Sequence, residues 1–183
     1  MHYIIVDLEA TCWDKATATE RKPNEIIEIG AVCVNDKQEI VGEFAAFIQP
    51  ILNPILSDFC KELTTITQEE VDAAEKFPVV VEKFQTWIAS FDTEYLLCSW
   101  GQYDKGQFRH DCLLHHLPTN WLENHISVKH QYAKIRRKIG LVGMGKALKA
   151  EGFTLEGTHH RGIDDARNIT KIFIKYFDRW ERP

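Results

Sequence analysis

Apolar and polar positions along the chain follow two periods. Tyr3 to Val6 is an unbroken apolar run of strand-favouring residues, which predicts a short strand buried on both faces. Ile26 to Val34 is β-branched and apolar and predicts a second strand; Glu39 to Ile48 predicts a third. The short Asp36-Lys37 turn joins these two as a hairpin. Tyr95 to Trp100 and Ile126 to Val128 supply a fourth and a fifth strand. Helical spacing appears between them. Phe77 to Ala89 repeats apolar residues at 77, 80, 81, 84, 87 and 88. Ser57 caps a short helix to Leu63, and Thr67 caps Gln68 to Ala74. Asp104 opens a helix to about Leu117, and Gly145 to Ala150 forms another, stopped by Gly152. The last helix runs from Gly162 to Trp180, with one apolar stripe at 163, 166, 169, 173, 176, 177 and 180. Cys12 to Asn24 is polar and reads as a mobile loop.

Composition narrows the class. With 183 residues and 44% apolar, the chain has enough mass for one domain with a sizeable core and no long disorder. No linker, repeat or low-complexity stretch divides residues 1–183, so a single domain is expected. A net charge of -5 excludes attachment to nucleic acid by bulk positive charge alone. Five scattered cysteines without a C-x-x-C pair fit reduced thiols and a cytoplasmic setting. No signal peptide and no apolar run of membrane-spanning length is present, so no membrane partner is expected. Lys129 to Ile139 carries Lys129, Lys134, Arg136, Arg137 and Lys138 without an acid. That run is expected either to touch a nucleic-acid backbone or to form a solvated helix face. His110, His115 and His116 lack the partners of a zinc site and read as a wet helix face.

The chemistry gathers on acids. Asp7 and Glu9 end the first strand and share a face. Asp104 follows the fourth strand at a helix start, and Asp164-Asp165 begin the last helix just after His159-His160. Strand ends and helix starts on one edge of an α/β sheet line a single crevice. Like charges there are costly unless cations lie between them, and hard oxygen ligands suit Mg²⁺ or Mn²⁺. The chemistry that uses such a set is two-metal phosphoryl transfer, with ions about 3.5–4 Å apart and a near-neutral histidine as base. Glu28 shares strand parity with Ile26 and Val32 and is expected inside as a satisfied structural carboxylate or as a group that orients the site.

Asp7-Leu8-Glu9-Ala10-Thr11, Trp100-Gly101-Gln102-Tyr103-Asp104 and His160-Arg161-Gly162-Ile163-Asp164-Asp165-Ala166-Arg167-Asn168 resemble the three exonuclease motifs of the DEDDh family. Glu25-Ile26-Ile27-Glu28-Ile29 and the Ser57–Gln68 segment resemble the subfamily that trims histone mRNA, ribosomal RNA and small RNA 3′ ends, with its bacterial relatives such as the sporulation-inhibitor type. That subfamily usually has Gly where this chain has Thr65. The resemblance covers the whole chain, and no appended nucleic-acid-binding domain is expected. It implies an RNase H-like mixed five-stranded α/β sheet flanked by helices. It implies 3′-to-5′ hydrolysis of single-stranded nucleic acid or 3′ overhangs, RNA favoured, to 5′-mononucleotides. Asp7, Glu9, Asp104 and Asp165 would hold two Mg²⁺ or Mn²⁺ ions, and His160 would be the general base. Ala10, Thr11, Trp13, Phe59, Leu63, Thr64 and Ile66 become substrate-binding candidates. The rivals are a DNA proofreading or repair exonuclease and an inactive binding or scaffold relative.

Two registers fit His-x4-Asp, His159 with Asp164 and His160 with Asp165. The family places a small residue after the metal-binding Asp, and Ala166 follows Asp165. Offsets of four, seven and eleven from Asp164 reach Asn168, Lys171 and Lys175, a wet face; from Asp165 they reach Ile169, Ile172 and Tyr176, a face toward the sheet. The second frame is therefore expected.

Overall fold

β1 (His2–Ala10) is the middle strand of the sheet and runs through Asp7 and Glu9 instead of stopping before them. The structure is a computed structural model and describes residues 1–14, 23–137 and 139–182. Most of the Cys12–Asn24 loop, and Lys138 of the basic run, lie outside the described residues. The sheet adds β2 (Ile26–Val34), β3 (Ile40–Phe47), β4 (Tyr95–Ser99) and β5 (His125–Ser127) in the order β3-β2-β1-β4-β5. β1 pairs antiparallel with β2, and β2 with β3, as the hairpin requires. β4 lies parallel to β1, and β5 parallel to β4. This is the mixed five-stranded sheet expected.

Both faces are covered. α5 (Val128–Ile135), α6 (Met144–Glu151) and α7 (Gly162–Lys175) pack on the face that carries Tyr3, Ile5, Val32 and Val34. α3 (Phe77–Ala89) and α4 (Tyr103–Leu114) pack on the face that carries Ile4, Val6 and Leu8. Alternate residues of β1 thus enter two different cores, which is why the strand reads as continuously apolar. α1 (Asp58–Thr64) and α2 (Gln68–Asp72) close a smaller cluster of Ile27, Leu56, Cys60, Ile66 and Val71. The Ser57 hydroxyl accepts from the Cys60 N–H at 3.0 Å, and Thr67 forms a capping box with Glu70. No helix among the described residues is long and apolar enough to cross a membrane.

Several elements differ from the sequence reading. β5 starts at His125 and ends at Ser127, because Val128 already begins α5. α5 itself was hidden by charge, since only Val128 and Tyr132 of it are fully buried. α7 ends at Lys175, and a 3-10 turn over Phe177–Arg179 carries the chain on. Trp180 remains buried, its indole N–H donating to the Phe173 carbonyl at 2.8 Å, so the apolar stripe outlasts the helix.

One residue of the basic run is tied into the fold. The Arg136 guanidinium pairs with the carboxylate of Glu151, whose side chain is 1% exposed, and donates to the Tyr176 hydroxyl at 2.8 Å. Tyr132, Tyr176 and Lys175 complete the set around Glu151, which hold its acid down at about 2 against the effect of burial. A buried carboxylate without those partners would be strongly unfavourable. Arg136 therefore takes part in holding the fold, while its side chain keeps 36% exposure.

Thr65 ends α1 with φ +62°, and its N–H donates to the Lys61 carbonyl at 2.9 Å. A β-branched residue in the left-handed region is strained by roughly 1–2 kcal/mol. Glycine removes that strain but adds about 0.4–1 kcal/mol of unfolded-state freedom. Thr65→Gly should therefore stabilise the protein by about 1 kcal/mol and raise its melting temperature by roughly 2–4 °C for a chain of this size. A lower melting temperature would show that the strain is absent.

Candidate active site

β4 follows β1 only as far as the Ile5–Cys98 pair. Beyond it, β1 loses its neighbour on that side while β2 continues beside it to Glu28 and Ile26. The gap is the crevice. A backbone N–H left open there needs a partner, and Asp104 supplies it. Its Oδ1 accepts from the Leu8 N–H, between Asp7 and Glu9, at 3.2 Å. Asp104 reaches this point because α4 starts at Tyr103, directly after β4 and its Trp100-Gly101 turn.

The opposite wall is the start of α7. A Cβ on Gly30 would lie 2.0 Å from the Gly162 carbonyl carbon, and one on Gly162 would lie 3.1 Å from the Asp7 carbonyl oxygen. Only two glycines allow the helix to rest this close to β2 and β1. Glu28, 2% exposed and opposite Glu9 in register, fixes the contact. Its carboxylate accepts from the Gly162 N–H at 2.9 Å and from the Arg161 guanidinium at 3.2 and 3.3 Å. An acid at a helix N-terminus is favoured, and here it also balances a partly buried arginine. The buried structural role expected for Glu28 is the one observed.

With α7 so placed, Asp165 points into the crevice. Ligand oxygens of Asp7, Glu9 and Asp165 all lie within 4.8 Å of one another. Asp164 turns away: it accepts from the Thr158 N–H at 2.8 Å and pairs with Arg167 at 3.2 Å. Asn168 does not lie on a wet face as the register argument supposed. It is fully buried, and its amide ties α7 to the Glu156 backbone in both directions. Lys171 and Lys175 do keep their ammonium groups at the surface side of α7, bonded to Thr154 and Glu151.

The two histidines are placed together. His159 Nδ1 lies 2.9 Å from Asp165 Oδ2, and the His160 N–H donates to the same oxygen at 3.1 Å. The imidazole rings stack with centroids 4.0 Å apart. His160 has φ +64°, an unusual backbone for a residue with a Cβ and one that tends to persist at functional sites.

The cluster is electrostatically frustrated. Burial, then the charges of Asp104, Glu9 and Asp165, hold the Asp7 acid well above the usual carboxylate range. Burial, then Asp165, Glu28 and Asp104, raise Glu9 to about 8. Burial raises Asp104 to about 6, although backbone N–H groups and the Ser99 hydroxyl oppose it. Burial and His159 lower His160, which keeps its imidazole neutral near pH 7. An all-oxygen donor set this close, with imidazoles beside it, fits hard divalent cations. Asp7, Glu9 and Asp165 are the side chains that would hold them, with Asp104 on the adjoining wall.

The substrate candidates divide by exposure. Phe59 and Leu63 are 40% and 37% exposed on α1, and Trp13 is half-buried. Ala10, Thr11, Thr64 and Ile66 are buried. The Thr11 hydroxyl accepts from the Glu25 N–H at 3.0 Å, and the Thr64 hydroxyl donates to the Cys60 carbonyl at 2.8 Å. The Thr11 and Thr64 hydroxyls are thus engaged with backbone groups beside the site. Two residues escaped the sequence reading. Tyr103 stands 54% exposed beside Asp104. The aromatic just before the helix-opening acid was the available signal. Glu25 binds the N–H groups of Ile51, Leu52 and Asn53 at 2.7–3.0 Å and holds the loop before α1.

This sheet order, with acids gathered where β4 leaves β1, defines an RNase H-like nuclease fold. The model of the exonuclease family RNase_T matches residues 4–173, and the chain belongs to that family, in its DEDDh branch. It is similar to the solved nuclease domain of 3′hExo, a DEDDh family member bound to rAMP, at TM-score 0.89 and 30% identity, covering 97% of this chain and 92% of that one. It is 32% identical over 201 residues to ERI1 exoribonuclease 2 of Xenopus laevis, covering 93% of this chain and 28% of that protein. It is 29% identical over 172 residues to the probable 3′-5′ exonuclease KapD of Bacillus subtilis (strain 168), covering 93% of this chain and 82% of that protein. The chain thus spans less than a third of the ERI1 exoribonuclease 2 length.

The raised acids have a consequence for stability. A carboxyl whose folded-state pKa exceeds its unfolded value binds more protons when folded, so stability falls as pH rises through that interval. For Glu9 the interval runs from 4.5 to about 8. In EDTA the melting temperature should fall across this range, and Glu9→Gln should flatten the fall. Mn²⁺ should raise the melting temperature more at the top of the range than at the bottom, because its ligands must be deprotonated. An equal Mn²⁺ effect at both ends would contradict a carboxylate cation site.

Proposed function

We propose that residues 1–183 form one exonuclease domain that hydrolyses nucleic acid from the 3′ end to 5′-mononucleotides, with RNA favoured. The observation that carries the reading is the convergence of Asp7, Glu9 and Asp165 at the crevice that Asp104 borders. Two Mg²⁺ or Mn²⁺ ions bound there would supply Lewis-acid stabilisation of the phosphoryl group and of the developing negative charge. Asp7, Glu9 and Asp165 would hold those cations in place. His160 takes a proton from the attacking water, a task suited to an imidazole kept neutral by burial. His159 bonds Asp165 and backs the His160 ring, which fixes both partners. Phe59, Leu63 and Trp13 offer apolar surfaces to the terminal nucleotide, and stacking tolerates any base. RNA is favoured because the similar proteins include exoribonucleases, and a solved 3′-exonuclease at 29% identity recognises a histone mRNA stem-loop.

The test compares variants on single-stranded RNA and on DNA of the same sequence. EDTA should abolish mononucleotide release, and Mg²⁺ or Mn²⁺ should restore it; full activity in EDTA would refute the reading. His160→Ala should lower the rate by roughly 10²–10⁴-fold while Mn²⁺ still binds. Asp165→Asn should abolish turnover, whereas Asp164→Asn, which loses a loop contact, should leave most of it. The reverse result would move the site to His159 and Asp164. Faster cleavage of DNA than of RNA would assign the domain to DNA.

A further inference from the structure

Residues 156–159 are all exposed, yet they lead straight into His160. An exposed polar loop ordinarily leaves its last residue loosely placed. Three side chains in the first turns of α7 counter this. Asp165 accepts from the His160 N–H at 3.1 Å, and Asp164 accepts from the Thr158 N–H at 2.8 Å. Two residues further back, Asn168 grips Glu156 from both sides. Its Oδ1 accepts from the Glu156 N–H at 3.1 Å, and its Nδ2 donates to the Glu156 carbonyl at 2.8 Å. Residues 156, 158 and 160 are thus each tied to α7.

The grip needs an amide. Asn168 is fully buried, so each of its polar atoms must find a partner inside. Its Nδ2 also donates to the Asp164 carbonyl at 2.8 Å, and its Oδ1 also accepts from the Lys171 ammonium at 3.2 Å. Both donors and both lone pairs are used, and one orientation of the amide satisfies all four. The middle of the loop follows the same path. Gly157 has φ +77°, and a Cβ there would lie 2.3 Å from the Asp164 Cγ. Only glycine lets the Asp164 carboxylate pass beneath it to Thr158.

We propose that Asn168 is a positioning residue for His160: from inside α7 it fixes the Glu156 end of the loop that presents the imidazole to the crevice. This rests on the reading of His160 as general base. Asn168 acts through the loop and not on the reacting atoms. A displacement of about 1 Å in a reacting group can cost 10²-fold in rate.

A double-mutant cycle with His160→Ala tests it, on single-stranded RNA in Mg²⁺. Asn168→Ala alone should lower kcat by roughly 10–100-fold, with little change in KM. In the His160→Ala background the same substitution should lower kcat little further, because a loop without its imidazole has nothing to place. Wild-type kcat in Asn168→Ala would overturn the proposal. A loss by the same factor in both backgrounds would also overturn it, and would assign Asn168 to the fold alone. Melting temperatures in EDTA show which variants fold. If Asn168→Ala does not fold, Gly157→Ala, which displaces the loop without touching α7, decides by the same cycle and the same outcomes. A His160→Ala protein with wild-type activity refutes the base reading itself, and the positioning role with it. An impaired His160→Ala with additive losses refutes the positioning role alone.

Discussion

The buried carboxylate of Glu28 at the α7 N-terminus is the contact on which the rest of the site depends. It takes the Gly162 N–H and the Arg161 guanidinium at once. In doing so it seats α7 on β2 at a point where neither Gly30 nor Gly162 has room for a side chain. The seat fixes rotation as well as position. With Gly162 down on the sheet, Asp165 faces Asp7 and Glu9, and Asp164 faces the Thr158 loop. A helix displaced by one residue would present the wrong acid.

The second constraint is the departure of β4 from β1. A sheet that stayed paired would bury the end of β1 and leave no crevice. Because pairing stops at Ile5, Asp104 can enter and bond the Leu8 backbone. The price is a set of buried like charges: burial first, and then the neighbouring acids, hold Asp7 and Glu9 above the usual carboxylate range. Such a cluster destabilises the cation-free protein at neutral pH and gives divalent ions a large differential affinity for the folded state. In the proposed mechanism, stability and cation binding are thus set against each other at the same carboxylates.

Much of this was legible in the sequence. The five strands, their hairpin and the capped helices α1 and α2 follow from periodicity and cap chemistry, because each is a local signal. The acids could be grouped because strand ends and helix starts share an edge. What stayed hidden depends on partners distant in the chain. Asn168 looked like a surface residue by spacing, yet it is buried and bonded to the Glu156 backbone. Arg136 looked like a nucleic-acid contact, yet Glu151 claims it. Ile66 sits in a motif that suggests ligand contact, yet its side chain packs in the small cluster under α1, and the Thr64 hydroxyl bonds the Cys60 carbonyl. The stacking of His159 on His160 needs coordinates, since no spacing rule places one ring on the other.

The polarity of hydrolysis tests the central claim most directly. A single-stranded RNA carrying a 5′ label is digested in Mg²⁺ and sampled through time. The account requires a ladder that shortens from the 3′ end, with unlabelled 5′-mononucleotides released from the first time point and the label retained on the shrinking strand. Early release of the label as a mononucleotide, or internal cuts without mononucleotides, would contradict it.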